Sequence, residues 1–261
     1  MKKNVLILII ILIFLALFVG GIFLLRSKAR NEATQPEETQ NQVALETPLE
    51  DRPFVTLTPR TDGREFRMEI SRIKNAQTIE YELVYFAGDL SRGVIGSIEL
   101  EEGENEVSRD LLLGSCSKDV CKYDEDVQKG SLTLRFRSSE GTRKFTTDFH
   151  LQQGEKILTS QDEKFKIEGK FSTTTFYLTM GTIGLPEKTE GKVLSGPYGI
   201  FTAGSSSAKG SALTMVLPEG TSQAKLFFFD GQNSTEQNGT EIENNSLTAN
   251  VNTLGAYFVT E

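Results

Sequence analysis

From Pro53 onward the apolar residues recur at every second position, and this period constrains the fold more than any other feature of the chain. Phe66, Met68 and Ile70 alternate with Arg67 and Glu69. Ile79, Tyr81, Leu83 and Tyr85 alternate with Glu80, Glu82 and Val84. Leu132, Leu134 and Phe136 alternate with Thr133 and Arg135, and Phe145, Thr147, Phe149 and Leu151 with Lys144, Thr146, Asp148 and His150. A strand turns successive side chains to opposite faces, so these runs describe strands with one buried and one wet face. Glu140-Gly141, inside Ser138–Arg143, predicts a hairpin between the last two. With Phe54–Thr58, Val94–Leu100 and Glu106–Leu113, about seven strands fall within roughly 100 residues, the profile of an immunoglobulin- or fibronectin-like sandwich. No segment carries a helical period.

A second set of strands follows Gln153-Gly154: Phe165–Ile167, Phe176–Met180, Tyr198–Thr202, Leu213–Leu217, Leu226–Phe229, Leu247–Val251 and Ala256–Thr260. Asp230-Gly231 marks another tight turn. Trp is absent and Phe reaches 17, which suits pleated strands better than helices. The expected fold class is therefore all-β, with two Ig/fibronectin-like β-sandwich units at 53–152 and 153–261. One continuous two-sheet domain is the alternative, because the junction near 152–160 is not rich in Pro or Gly.

Upstream, Val5 to Leu25 is a run of 21 residues without a charge. As a helix it spans about 31 Å, the thickness of a bilayer's hydrocarbon core. A cleaved signal peptide would have a shorter apolar region and a small-x-small cleavage site, whereas RSKARNEA follows here. The run reads as the signal-anchor transmembrane helix of a single-pass protein, within 1–26. Lys2 and Lys3 on one side nearly balance Arg26, Lys28 and Arg30 on the other, so charge alone does not orient it. The four-residue head and the envelope-like globular part favour an extracytoplasmic C-terminal part. Ala16 and Gly20 form a small-xxx-small pair, which chance explains as well as helix pairing does. Residues 27–52 are dominated by Glu, Gln, Thr, Asn and Pro and read as a disordered stalk.

The sequences Tyr81-Glu82-Leu83-Val84-Tyr85 and Leu254-Gly255-Ala256-Tyr257-Phe258-Val259 resemble strands of fibronectin-type modules in anchored bacterial surface proteins. The stretch LLLGSCSKDVCKY (Leu111–Tyr123), followed by SLTLRFR, is similar to membrane-anchored bacterial envelope proteins whose function is not characterised. The resemblance spans 53–261. It implies an envelope location and brings no functional residue with it.

Charge narrows the partners. Residues 31–261 hold 36 acidic and 23 basic side chains, a net −13. That balance repels phosphate backbones, so non-specific nucleic-acid binding is disfavoured, no nucleic-acid partner is expected, and a neutral or cationic partner is favoured. Cys116 and Cys121 are the only cysteines and His150 the only histidine, too few ligands for a structural zinc site. The C-S-K-D-V-C spacing is not a C-x-x-C redox motif, and outside the cytoplasm it predicts a local disulfide. Asp119, Asp124, Glu125 and Asp126 suggest calcium, but an EF-hand loop counted from Asp124 needs Gly and Glu where Lys129 and Arg135 stand. Gly114–Gly130 is then the longest loop of the first unit and a candidate interaction loop. His150 falls on the solvent parity of its strand, without a partner for nucleophilic catalysis. Ser205–Ser207 lacks the Walker spacing of a phosphate cradle. Asn233, Asn238 and Asn244 begin N-x-S/T triplets, which carry glycans only in a eukaryotic secretory route. No cofactor is expected. These readings point to a non-enzymatic, membrane-anchored cell-envelope protein that presents β-sandwich modules to an unknown protein or envelope partner. An accessory subunit of a membrane or secretion complex is a second reading, and a membrane-tethered hydrolase a third.

Overall fold

A computed structural model of the chain describes residues 46–118 and 120–261. The span Val5 to Leu25 and residues 27–45 of the stalk lie outside the described residues, as does Asp119. Among the described residues no helix is long and apolar enough to cross a membrane, and the only helical turn is a 3-10 turn at Leu49–Asp51. The rest of the regular structure is β, as the period-two pattern requires.

In the first half, β1 (Phe54–Pro59) and β2 (Glu65–Ser71) are followed by the hairpin β3 (Thr78–Ala87) and β4 (Leu90–Glu99). Next come β5 (Glu106–Leu112), the short β6 (Gly114–Ser117) and β7 (Val120–Tyr123), and the long hairpin β8 (Val127–Ser138) and β9 (Gly141–Gln153). The second half holds β10 (Ile157–Thr159), β11 (Phe165–Glu168), β12 (Phe176–Gly181), β13 (Val193–Phe201) and β14 (Ser207–Val216). It continues with β15 (Lys225–Phe229), β16 (Ser234–Gln237), β17 (Glu241–Glu243), β18 (Ser246–Thr253) and β19 (Ala256–Thr260).

Nine strands form one long sheet in the order β16-β15-β19-β13-β12-β9-β8-β3-β4. A three-stranded sheet, β1-β2-β5, covers one end of it, and a five-stranded sheet, β10-β11-β14-β18-β17, the other. The residue boundary at 152/153 falls at the end of β9, where the long sheet continues through antiparallel pairing of β9 with β12, Phe149 opposite Met180 and Leu151 opposite Leu178. Two apolar cores lie on either side of that joint. The first contains Phe66, Leu83, Phe136 and Phe149, and the second Phe165, Leu213, Leu247 and Tyr257.

β12 belongs to both. Leu178 and Met180 pack into the first core, whereas Tyr177 packs into the second. Odd and even residues of a strand face opposite sides, so the two covering sheets lie on opposite faces of the long sheet. Strands wetted on neither face lose alternation: Tyr177 to Met180 and all five residues of β19 are buried.

The halves are also tied through the lead into β1. The Val55 N–H donates to the Thr182 carbonyl at 3.0 Å. The Arg72 guanidinium donates to the carbonyls of Leu185 and Glu50. A Cβ on Gly184 would sit 2.4 Å from the Arg52 carbonyl oxygen, so only glycine lets these segments approach. The described residues group as one compact unit.

Candidate binding cleft

Parity builds the first wall of a cleft of about 1000 Å³. In β2 the side chains of Phe66, Met68 and Ile70 are buried, so Glu69 and Ser71 point the other way. The register brings Thr56 and Ser108 beside Glu69, and Phe54 and Glu106 beside Ser71. Glu99, at the end of β4, and the following turn add Glu101 and Glu104. The turn is held by Glu104, whose carboxylate accepts the Glu101 N–H at 3.0 Å. Glu99 accepts the Thr78 hydroxyl at 2.9 Å.

The opposite wall comes from the second half: Phe201 at the end of β13, Phe228 and Phe229 of β15, and Leu254–Ala256 before and within β19. Phe228 lies 5.0 Å from the Tyr257 ring, and Phe229 meets Phe54 edge-on at 5.6 Å. Gly255 is required there, because a Cβ would lie 2.7 Å from the Phe228 ring and 2.9 Å from the Phe229 carbonyl oxygen. Asp230 accepts the N–H groups of Gln232 at 2.8 Å and Asn233 at 2.9 Å. The bonds from Asn233 and Gln232 hold its carboxyl below the usual range.

Six carboxylates therefore border the cleft (Glu69, Glu99, Glu101, Glu104, Glu106 and Asp230) against one guanidinium, Arg109. Among the described residues none of these six forms an ion pair. An anionic rim over half-buried aromatic rings attracts a cation by charge and holds its apolar stem or its guanidinium face by contact with the rings.

The candidate residues read from the sequence lie elsewhere. Cys116 and Cys121 are bonded to each other and stand directly opposite in the β6–β7 ladder. The segment read as a loop at Gly114–Gly130 thus contains a two-stranded hairpin and the start of β8. Asp124 accepts the hydroxyl of buried Tyr85 at 2.8 Å and lies 3.7 Å from Arg92 Nε. Burial, with the bond to Asp124, pushes the Tyr85 phenol well up. Glu125 and Asp126 are exposed, and the Asp126 carbonyl accepts the Gly88 N–H at 3.4 Å. None of these residues lines the cleft. His150 is half-buried, with Nδ1 2.9 Å from the Thr159 carbonyl oxygen, so it links β9 to β10 instead of standing free in solvent. Among the described residues no group of three or more His, Cys, Asp or Glu is placed to hold a metal ion.

Sequence reasoning missed the cleft, although two local signals mark it: the acidic run Glu101-Glu102-Gly103-Glu104-Asn105-Glu106 and the triplet Phe227-Phe228-Phe229. The fold and the cleft together define a class, an all-β, sandwich-like protein with an anionic groove. No family model matches the chain, and no curated protein or solved structure matches it.

Proposed function

We propose that this is a non-enzymatic cell-envelope protein, anchored through Val5 to Leu25, whose Ig/fibronectin-like modules bind an extended, basic segment of a partner protein in the cleft. The observation that carries this reading is the meeting of six carboxylates, none in an ion pair among the described residues, with half-buried phenylalanine faces in one concavity of about 1000 Å³. Binding sites are typically concavities of this size with an apolar lining and a few oriented polar groups. The acidic balance of residues 31–261 favours a partner of opposite charge.

Full-length protein in detergent or nanodiscs, titrated with arginine- and phenylalanine-containing peptides and their glutamate counterparts, tests the proposal. The basic peptides should bind, and Glu99→Lys with Glu104→Lys should weaken them by about tenfold or more. The same reversals at exposed Glu219 and Glu241, away from the cleft, should change little. Equal losses at both places would reduce the effect to net charge and remove the cleft from the reading.

A further inference from the structure

β4 is the outermost strand of the long sheet and, among the described residues, no strand pairs with its outer side. It is ten residues long and paired to β3 without a register shift. Proteins usually protect such an edge with charge, proline, bulges or short length, and the other free edges here have that protection. β6, β7, β10, β16 and β17 are three or four residues long, β1 is bridged at Phe54 by Ile183 and ends at Pro59, and β5 carries Glu106, Arg109 and Asp110. β4 instead runs Gly93-Val94-Ile95-Gly96-Ser97-Ile98 without a charge, with Ile95 79% exposed. Phe86 and Leu90, at the same hairpin's turn end, are also exposed apolar residues.

The pairing pattern says which backbone groups are free. Ala87 and Leu90 face each other across the two-residue turn Gly88-Asp89, and the Leu100 N–H donates to the Gln77 carbonyl at 2.9 Å. In an antiparallel ladder hydrogen-bonded pairs fall at every second residue. Even-numbered residues of β4 therefore direct their N–H and C=O to β3, and Ser91, Gly93, Ile95, Ser97 and Glu99 direct theirs outward.

We propose that this edge joins two copies of the chain, β4 against β4 about a twofold axis perpendicular to the sheet, with Ile95 opposite Ile95 of the second copy. A twofold of that orientation reverses the strand and keeps its face, so it pairs residues of like parity. The outward groups all lie on odd residues, as that symmetry demands. Centred on Ile95, it sets Gly93 opposite Ser97 and Ser91 opposite Glu99, and on the other face Leu90 opposite Leu100. No like charges meet between Ser91 and Glu99. Two copies that each carry a large negative charge can approach most closely where neither bears any, and the charge-free stretch of β4 is such a place. Each copy has one β4, so the assembly closes as a dimer.

Mass measurement of the full-length protein in detergent, joined to disulfide trapping, decides the matter. The wild type should be dimeric at micromolar concentration. Ile95→Cys should cross-link to its own copy under mild oxidation, because directly opposed Cα atoms lie about 5.5 Å apart, whereas Ser97→Cys alone should not. Ile95→Pro removes only an outward N–H, which an edge strand tolerates, so it should leave circular dichroism and melting nearly unchanged while halving the protein mass. Ile95→Lys, which opposes two ammonium groups, should do the same if proline disturbs folding. A monomeric wild type, a dimer that survives both of these substitutions while the Ile95→Cys variant fails to cross-link, or an open series of oligomers would overturn the proposal.

Discussion

The two ends of the long sheet follow the same rules with different sequences. At the β3–β8–β9 end one face carries Leu83, Leu134 and Phe149 in the first core, and the other carries Glu80, Glu82, Arg135, Arg137 and Thr146 in solvent. At the β12–β13–β19 end the second face is covered by the five-stranded sheet, and Tyr177, Ile200, Tyr257 and Val259 fill it. Alternation thus reports how many faces are dry, and its loss at Tyr177–Met180, where Leu178 and Met180 enter the first core and Tyr177 the second, marks the place where two cores share one sheet.

The most direct way to break this comparison is to truncate neighbouring positions at each end. In β12, Tyr177→Ala and Leu178→Ala point to opposite cores and should each lower stability by roughly 2–5 kcal/mol. In β8, Leu134→Ala should cost a similar amount, whereas Thr133→Ala, on the wet face, should stay within about 0.5 kcal/mol. Denaturant midpoints at constant slope measure all four. A neutral Tyr177→Ala would mean that the second face of β12 is not covered.

A smaller effect belongs to the β6–β7 hairpin, which contributes to neither core. Closing the short loop between Cys116 and Cys121 should contribute about 2 kcal/mol in the chain-entropy model. Cys116→Ser should lower the melting point modestly and leave the sheets intact, and alkylation of the native protein should proceed only after reduction. Prompt labelling of both cysteines without reductant would contradict the bond.

Much of the fold was legible because burial on one face leaves its imprint locally. Phe66, Met68 and Ile70 announce β2 without any knowledge of β5. Short or polar strands leave no such imprint: β10, β16 and β17 are too short to establish a period, and β6 and β7 hold mostly small and polar residues. The cleft was illegible for a different reason. Glu69, Glu104, Phe229 and Gly255 come together only once β2 and β15 lie on either side of the groove, and no spacing along the chain encodes that meeting. The run Glu101–Glu106 reads as a solvated turn until the phenylalanines opposite it are known.

Arg72 joins the halves through backbone carbonyls of Leu185 and Glu50. Arg72→Ala should cost about 0.5–1.5 kcal/mol, the net scale of hydrogen bonds made in partly exposed surroundings. It should also loosen the Leu49–Asp51 turn, which hydrogen exchange of the Asp51 and Arg52 amides would register. Unchanged exchange would confine Arg72 to a surface role.

The smallest effect tests the wet face itself. Glu80 receives Arg137 in a two-pronged ion pair, with Nη2–Oε2 at 2.8 Å, and Arg135 reaches Glu82 at 3.4 Å. The bond from Arg137 holds the Glu80 carboxyl below its ordinary range although partial burial opposes it. The native state therefore binds this proton less readily than the unfolded chain does. Its contribution is present above the unfolded carboxylate's pKa of about 4.3 and is lost as pH falls through the lower, folded value. Both side chains are more than a third exposed, so water and salt reduce the pair to about 0.2–1 kcal/mol. Glu80→Gln should remove that contribution near neutral pH and flatten the acid limb of the stability curve below about pH 4. The gap between variant and parent should narrow further in high salt. A loss as large as that at Leu134 would mean that this face is covered, and the contrast between the two ends of the sheet would fail.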